Sequence, residues 1–278
     1  MRLGFSDFAF DGDINSLYEF ARANDLNLIQ LSLDNRHYFP ENLSPAARKK
    51  ISDLLAESDI AVCVHGPSDL PLINRHEIVR RAALQRFFEL IDLAIDLRAA
   101  YFVFHPGRQA YYSISTKKVF FVEQKFPREI SGWFVDSLKQ ILKHADGKLK
   151  LCIENTNFLS KEFFEVIRDL CENHGLGLVW DVGHTENLPS GKREVMIKFF
   201  RDNLKYVKLA HMHDYQETSG HKSLGGGRVN VAAYLEIFNT LGADIILEIF
   251  PESELTQTLR YLESMALNLK FKTAVNSE

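Results

Sequence analysis

Apolar and polar positions along the chain follow two rhythms in turn. Short, nearly continuous apolar runs occur at RLGFS (2–6), LIQLSL (28–33), AVCVH (61–65), YFVFH (101–105), KLCIE (150–154), GLVWD (177–181), YVKLAH (206–211) and IILEIF (245–250). Between them lie longer stretches such as SPAARKKISDLLAES and EIVRRAALQRFFELIDLAIDL, whose apolar residues recur at i, i+3, i+4 and i+7. The first kind reads as buried strands and the second as amphipathic helices. Ser44 before Pro45 reads as an N-cap followed by proline at the first helical position. The glycine of ENHGLG marks a helix stop. Strands that alternate with helices pair in parallel through right-handed crossovers. Eight such units in 278 residues predict an α/β chain forming one closed (β/α)8 barrel over residues 1–278, with an open doubly wound sheet as the competitor.

One connection breaks the pattern. After FHPGR comes QAYYSISTKKVFFVEQKFPRE, about twenty residues where two to six are usual. Partial alternation in it predicts an inserted loop or hairpin at about 108–127. Tyr111, Tyr112, Phe120 and Phe121 could then cap the barrel mouth, with a subunit contact or plain surface packing as the competing reading.

Composition narrows the setting. A hydrophobic fraction of 46% supports a large core, and a net charge of −4 provides no global field for nucleic acid. Three scattered cysteines, Cys63, Cys152 and Cys171, do not form a disulfide framework. No apolar run reaches the roughly 20 residues of a membrane span, and MRLGFSDFAFDGD has no signal-peptide pattern. The expectation is a cytoplasmic, membrane-free protein in a reducing compartment, able to form a homo-oligomer.

The chemistry sits where the strands end. His65, His105, Glu154, Asp181 and His211 each close an apolar run; His184 follows Asp181, His213 follows His211, and Glu248 lies within LEIF. His221 stands in the glycine-rich turn HKSLGGG. Each alone has a bland explanation, such as a hydrogen-bonded loop histidine or a buried ion pair. A barrel, however, brings all of its strand ends to one mouth, where functional residues belong. Imidazoles and carboxylates gathered there, without thiolate, suit a divalent cation, zinc and manganese about equally. Cys63 and Cys152 share faces with His65 and Glu154 by period-2 alternation and read as small interior fillers. His37, His76, His144 and His174 fall on loops or helices and read as surface residues.

In order and spacing, HGP at 65, HPG at 105, ENT at 154, DVGH at 181, HMHD at 211, HKSLGGG at 221 and the glutamate of LEIF at 248 resemble the xylose-isomerase-like TIM barrel superfamily. That superfamily contains sugar isomerases, epimerases and endonuclease IV. The resemblance implies that Glu154, Asp181, His211 and Glu248 bind one divalent ion, with His65, His105, His184 and His221 matching additional ligands of the nuclease. One position departs: Ser219 stands where the nuclease pattern has a carboxylate, so a third ion should be weak or absent, leaving one or two per chain.

Two chemistries fit that set. In the first, Glu154 and Glu248 move a proton beside the carbonyl of an open-chain sugar or sugar phosphate, through an enediolate stabilised by the metal. In the second, two or three ions hydrolyse a phosphodiester in abasic DNA. His65, His105 and His221 favour the nuclease. Ser219, Ser68 where the nuclease pattern has a DNA-contacting tyrosine, the acidic total and the bulky insertion favour the small sugar. DNA is a partner only in the second reading, and a metal-binding barrel without catalysis is a third possibility. Candidate substrate contacts are His213, Arg108, Tyr111 and Arg36, the last in DNRHYF.

Overall fold

The computed structural model of the chain describes residues 1–10, 13–107, 111–115, 117–120, 125–126, 128–156, 161–216 and 219–265. Strands β1 (Leu3–Ser6), β2 (Leu28–Ser32), β3 (Ala61–His65), β4 (Tyr101–Phe104), β7 (Lys150–Glu154), β8 (Gly177–Asp181), β9 (Val207–Met212) and β12 (Asp244–Leu247) pair in parallel and close in the order β1-β12-β9-β8-β7-β4-β3-β2. The predicted closed α/β barrel is therefore the fold, and the open sheet is excluded. Outside the barrel, β5 (Tyr111–Ile114) pairs antiparallel with β6 (Lys117–Phe120) in the long connection after β4. A second hairpin joins β10 (Asp214–Gln216) to β11 (Ser219–Lys222) directly after β9.

Helices α1 (Ile14–Ala23), α2 (Pro45–Ala56), α3 (Glu77–Asp96), α4 (Glu129–Ala145), α5 (Lys161–His174), α6 (Val182–Glu186), α7 (Ser190–Asp202), α8 (Val231–Leu241) and α9 (Glu252–Ser264) surround the strands. Their starts follow local chemistry. Ser44 accepts the Ala47 N–H at 3.3 Å ahead of Pro45, and Asp13 and Asn230 cap α1 and α8 in the same way. After α5 the chain turns through Gly175 at φ 75°, a left-handed conformation that glycine adopts without a Cβ penalty. Among the described residues no helix is long and apolar enough to cross a membrane. The three cysteines are free and buried.

What positions the site is the barrel interior. Leu28, Cys63, Val103, Cys152, Val179, Leu209 and Ile246, one from each strand except β1, form a fully buried cluster of their own, separate from the larger core between sheet and helices. On β1 the corresponding place is taken by Gly4, where a Cβ would lie 2.1 Å from the Leu28 carbonyl oxygen. Side chains two residues on share the same face. From those seven strands they are Gln30, His65, His105, Glu154, Asp181, His211 and Glu248. The apolar cluster is thus a floor, and the next interior layer is polar throughout. At the opposite end Arg2 closes the barrel on Asp244, whose carboxylate also accepts the Tyr101 hydroxyl at 2.9 Å.

Candidate metal centre

Glu154 stands at the middle of the polar layer. Its Oε2 lies 3.1 Å from His65 Nε2, 3.1 Å from His105 Nε2 and 3.2 Å from His211 Nδ1. His211 Nδ1 is also 3.2 Å from Glu248 Oε1. Register places Asp181 directly across from His211 on the neighbouring strand. Ligand atoms of Glu154, Asp181, His211 and Glu248 lie within 4.8 Å of one another, as do those of His65, Glu154 and His211. Donor–metal bonds of about 2.1 Å set neighbouring ligand atoms roughly 3.0–3.4 Å apart in octahedral or tetrahedral geometry. The separations around Glu154 and His211 fall in that range.

Proton positions show why a cation fits. Gln30 Nε2 donates to Glu248 Oε1 at 2.5 Å, so its carbonyl must face His211 Nε2, 3.0 Å away. That oxygen only accepts, which puts the His211 proton on Nε2 and leaves Nδ1 as a bare lone pair. Nδ1 then points at two carboxylates and has no hydrogen-bond partner; Asp181 Oδ2 is likewise buried and makes no hydrogen bond, with His213 Nε2 3.3 Å away. His65 repeats the arrangement, with Nδ1 donating to the Gly66 carbonyl at 2.8 Å and Nε2 facing Glu154. Lone pairs in this arrangement repel unless positive charge lies between them, and metal-bound histidines are oriented by such outer hydrogen bonds.

Without an ion, protons answer the same demand. Burial works against charge on His211, but Glu248 and Glu154 outweigh it and raise its pKa to about 9. His65 is pushed up against burial by Glu154 and Glu248. Burial would raise both acids, yet His211 and His105 hold Glu154 well below the usual carboxylate range, and His184 and His213 bring Asp181 to about 2.

A second histidine group adjoins the first. His184, His213 and His221 offer nitrogens within 4.8 Å of one another. Asp181 orients His184 by capping α6, accepting the His184 N–H at 2.5 Å. His221 holds a left-handed φ of 55°, which is costly for a residue with a side chain. It is fixed there by two bonds: its Nδ1 donates to the Glu248 carbonyl at 2.9 Å, and its N–H donates to His213 Nδ1 at 3.0 Å. The His213 ring stacks on His221 at 4.2 Å and fills the space above Gly183, where a Cβ would come within 2.2 Å of it. Burial and the neighbouring His213 lower the basicity of His221. Burial opposes charge on His213 and Asp181 favours it, for a net upward push, while the His221 N–H aimed at Nδ1 opposes a second proton there.

Above this layer opens a cavity of about 330 Å³ lined by Ser6, Phe8, Gln30, Ser32, Asp34, His65, Ser68, His105, Glu154, His184, His221 and Glu248. Asp181, His211 and His213 lie beneath it, fully buried. All eight expected ligands thus meet at one end of the barrel. Among the expected substrate contacts the structure places three. His213 is shielded from the cavity by its neighbours, and Arg36 and Tyr111 are exposed outside the lining. Arg108 and Phe121 lie outside the described residues, as do the side chains of Tyr112 and Phe120. Ser219, where the nuclease pattern has a carboxylate, is exposed.

Two buried polar residues at this end of the barrel are not strand-end charges after an apolar run. Gln30 stands inside LIQLSL, and its signal is parity with Leu28 alone. Asp7, just past β1, accepts the Ser32 N–H at 2.9 Å through Oδ1, while its buried Oδ2 has no partner and burial raises its pKa to about 7.

Comparison with known proteins agrees with the barrel fold. A curated relative, "Probable endonuclease 4" of Mycoplasmoides gallisepticum (strain R(low / passage 15 / clone 2)), is 24% identical over 200 residues, covering 66% of this chain and 63% of the relative. The chain therefore spans less than two thirds of that protein. The crystal structure of a D-tagatose 3-epimerase-like protein superposes with a TM-score of 0.76 at 21% identity, covering 95% of this chain and 96% of the other. A crystal structure of the IolI protein with a bound zinc atom superposes with a TM-score of 0.70 at 14% identity, covering 97% and 98%. At these identities the two structures speak for the fold. The model of the xylose isomerase-like TIM barrel family matches residues 18–266, and the chain belongs to that family.

Proposed function

We propose that the protein is a divalent-metal-dependent isomerase or epimerase of a sugar or sugar phosphate. The observation that carries this reading is the pair Glu154 and Glu248. Both line one cavity, and each stands 3.2 Å from the same bare His211 nitrogen. Glu154, Asp181, His211 and Glu248 would hold the ion, zinc or manganese, with His65 and His105 able to share Glu154 with a second. When bound, the ion supplies the positive charge that favours an enediolate over its parent carbonyl compound.

The protein's own groups do the rest. Glu154 is kept ionised by the imidazoles around it, so it can accept a proton from carbon beside a carbonyl. Glu248, 7% exposed against 1% for Glu154, reaches the cavity more openly and is held in place by the Gln30 amide. One acid removes the proton and the other returns it at the neighbouring carbon or on the opposite face. Ser6, Ser32, Asp34 and Ser68 on the wall offer hydrogen bonds to hydroxyls, and Phe8, stacked at 6.3 Å on the exposed Phe250, gives the rim an apolar edge. A cavity of about 330 Å³ suits a monosaccharide better than duplex DNA.

The test is exchange. Incubation with a panel of ketoses and ketose phosphates in deuterated water, with zinc or manganese added, should replace one carbon-bound hydrogen by deuterium, and Glu248→Gln should abolish it. A second reading, hydrolysis of abasic DNA, is supported by His65 and His105 flanking Glu154 and by the relationship to the mycoplasma protein. Salt-sensitive nicking of abasic duplex, with no exchange across the panel, would put that reading first. Neither activity would leave a metal-binding barrel without catalysis.

A further inference from the structure

His213 breaks the rule that His65, His211 and His221 obey. His65, His211 and His221 each give their outer N–H to an oxygen that can only accept, the Gly66 carbonyl, the Gln30 side-chain carbonyl and the Glu248 carbonyl. Each therefore presents a bare inner nitrogen. The outer nitrogen of His213 does the reverse: Nδ1 accepts the His221 backbone N–H at 3.0 Å, a closer contact than its 3.4 Å approach to the Asp214 carbonyl. A neutral imidazole has one proton, and here it must sit on Nε2. That nitrogen is fully buried, lies 3.3 Å from Asp181 Oδ2 and has no other partner. A nitrogen that bears its proton there has no lone pair to give a cation.

We propose that His213 is not a metal ligand but a positioning residue, whose protonated Nε2 stands 3.3 Å from Asp181 Oδ2 where the histidine group would otherwise take a further ion. This rests on the reading of Glu154, Asp181, His211 and Glu248 as a cation site. Among the described residues His184 and His221 then leave two imidazoles and no free carboxylate, since Ser219 is exposed and Asp181 Oδ1 is engaged by the His184 N–H. The centre is thereby limited to the positions around Glu154. The arrangement is built into the backbone at two places. Gly183 has no Cβ where the ring lies, and His221 adopts φ 55° to direct its N–H at Nδ1. The expected effect is on Asp181: a protonated nitrogen beside its inner oxygen, where a lone pair would repel it, steadies the carboxylate in its orientation toward the ion.

The experiment uses the full chain stripped of metal, titrated with zinc sulfate alone, and two variants. His213→Gln keeps an N–H donor near the same place, whereas His213→Ala removes it. Both should bind as many zinc ions per chain as the unaltered protein by elemental analysis, with affinity near the original for His213→Gln and about 10- to 100-fold weaker for His213→Ala. Nitrogen-15 NMR of the imidazoles should find the His213 proton on Nε2, with and without zinc. Loss of one zinc ion per chain in His213→Gln, or a proton on Nδ1 with a metal-shifted Nε2, would make His213 a ligand and overturn the proposal. An unaltered protein that takes up no zinc, yet keeps its His213 proton on Nε2, would uphold the tautomer and refute the cation site instead.

Discussion

Replacing Gln30 with leucine tests the argument about proton positions at its root. The amide makes two hydrogen bonds inside the barrel, from Nε2 to Glu248 Oε1 at 2.5 Å and from His211 Nε2–H to Oε1 at 3.0 Å, and its Oε1 is also approached by Cys63 Sγ at 3.5 Å. Leucine has a similar volume, so packing against Leu28 and Cys63 survives while both polar partners lose their mate. A buried group left without its partner costs about 1–3 kcal/mol, so the two together should lower the stability of the metal-free protein by roughly 2–4 kcal/mol, allowing for partial relaxation of Glu248 toward the cavity. Zinc affinity should fall by about 10- to 100-fold, or ~1.4–2.7 kcal/mol, because neither His211 nor Glu248 is then held in register with the other ligands. Urea unfolding of the metal-free variant measures the first effect, and zinc competition against a chromogenic chelator measures the second. Gln30→Glu serves as companion: a carboxylate against Glu248 should destabilise the metal-free protein near neutral pH and do so less as the pH falls and the pair shares a proton. A folded Gln30→Leu protein whose zinc affinity stayed within about twofold of the original would refute the reasoning, since the tautomer of His211 would then owe nothing to Gln30.

Three further outcomes follow from the same geometry. Glu154→Gln should remove at least one metal ion per chain, because Oε2 is the atom shared by three imidazoles, and unchanged metal content by elemental analysis would sink its assignment. In the metal-free protein His211, raised from 6.5 to about 9, contributes stability that is present below pH 6.5 and lost as the pH climbs through 9; Asp181, lowered from 3.8 to about 2, contributes stability present above pH 3.8 and lost as the pH falls through 2. The urea midpoint should therefore decline from pH 6.5 to 9 while zinc affinity rises about tenfold per unit, and a midpoint that climbed over that interval would contradict the account of His211. Gly183→Ala, whose Cβ would meet the His213 ring at 2.2 Å, should cost about 1–3 kcal/mol, whereas Gly191→Ala in α7, with nothing within 4 Å, should change stability by less than about 1 kcal/mol; equal effects would mean that the His213 ring does not rest on Gly183.

What the sequence made legible was whatever interrupts an apolar run. Asp181 after LVW and Glu154 after LCI stand out because a charge ends a stretch that must be buried, and barrel closure brings such ends together whatever the loops do. Gln30 hid because it is an uncharged residue within a run, and only its parity with Leu28 marks it as interior. For His213 parity with His211 was too coarse a guide. The strand ends at Met212, and the direction of the ring is set by Gly183 and by the strained backbone of His221, neither of which lies on β9. Arg36 and Tyr111 sit on a short 3-10 turn and an outer hairpin, where sequence spacing says nothing of which way a side chain faces.

The interior layers also explain where a substrate has room. Seven strands place an apolar residue in the floor and a polar one two positions later, but β1 offers Gly4 and then Ser6. Gly4 cannot be larger, since a Cβ would overlap the backbone of Leu28. Ser6 is the smallest side chain of the second layer, and it lines the cavity together with Phe8, Gln30 and Ser32 from the adjoining β1–β2 side. The carboxylates and imidazoles of the remaining strands are packed within hydrogen-bonding distance of one another and leave little space among themselves. The ring therefore has its smallest member on β1, next to Glu248 across the seam between β1 and β12, and under the proposed reading a small polyol seated over Ser6 would lie beside Glu248. That placement favours Glu248 as the acid that faces substrate and Glu154 as the one anchored by histidines.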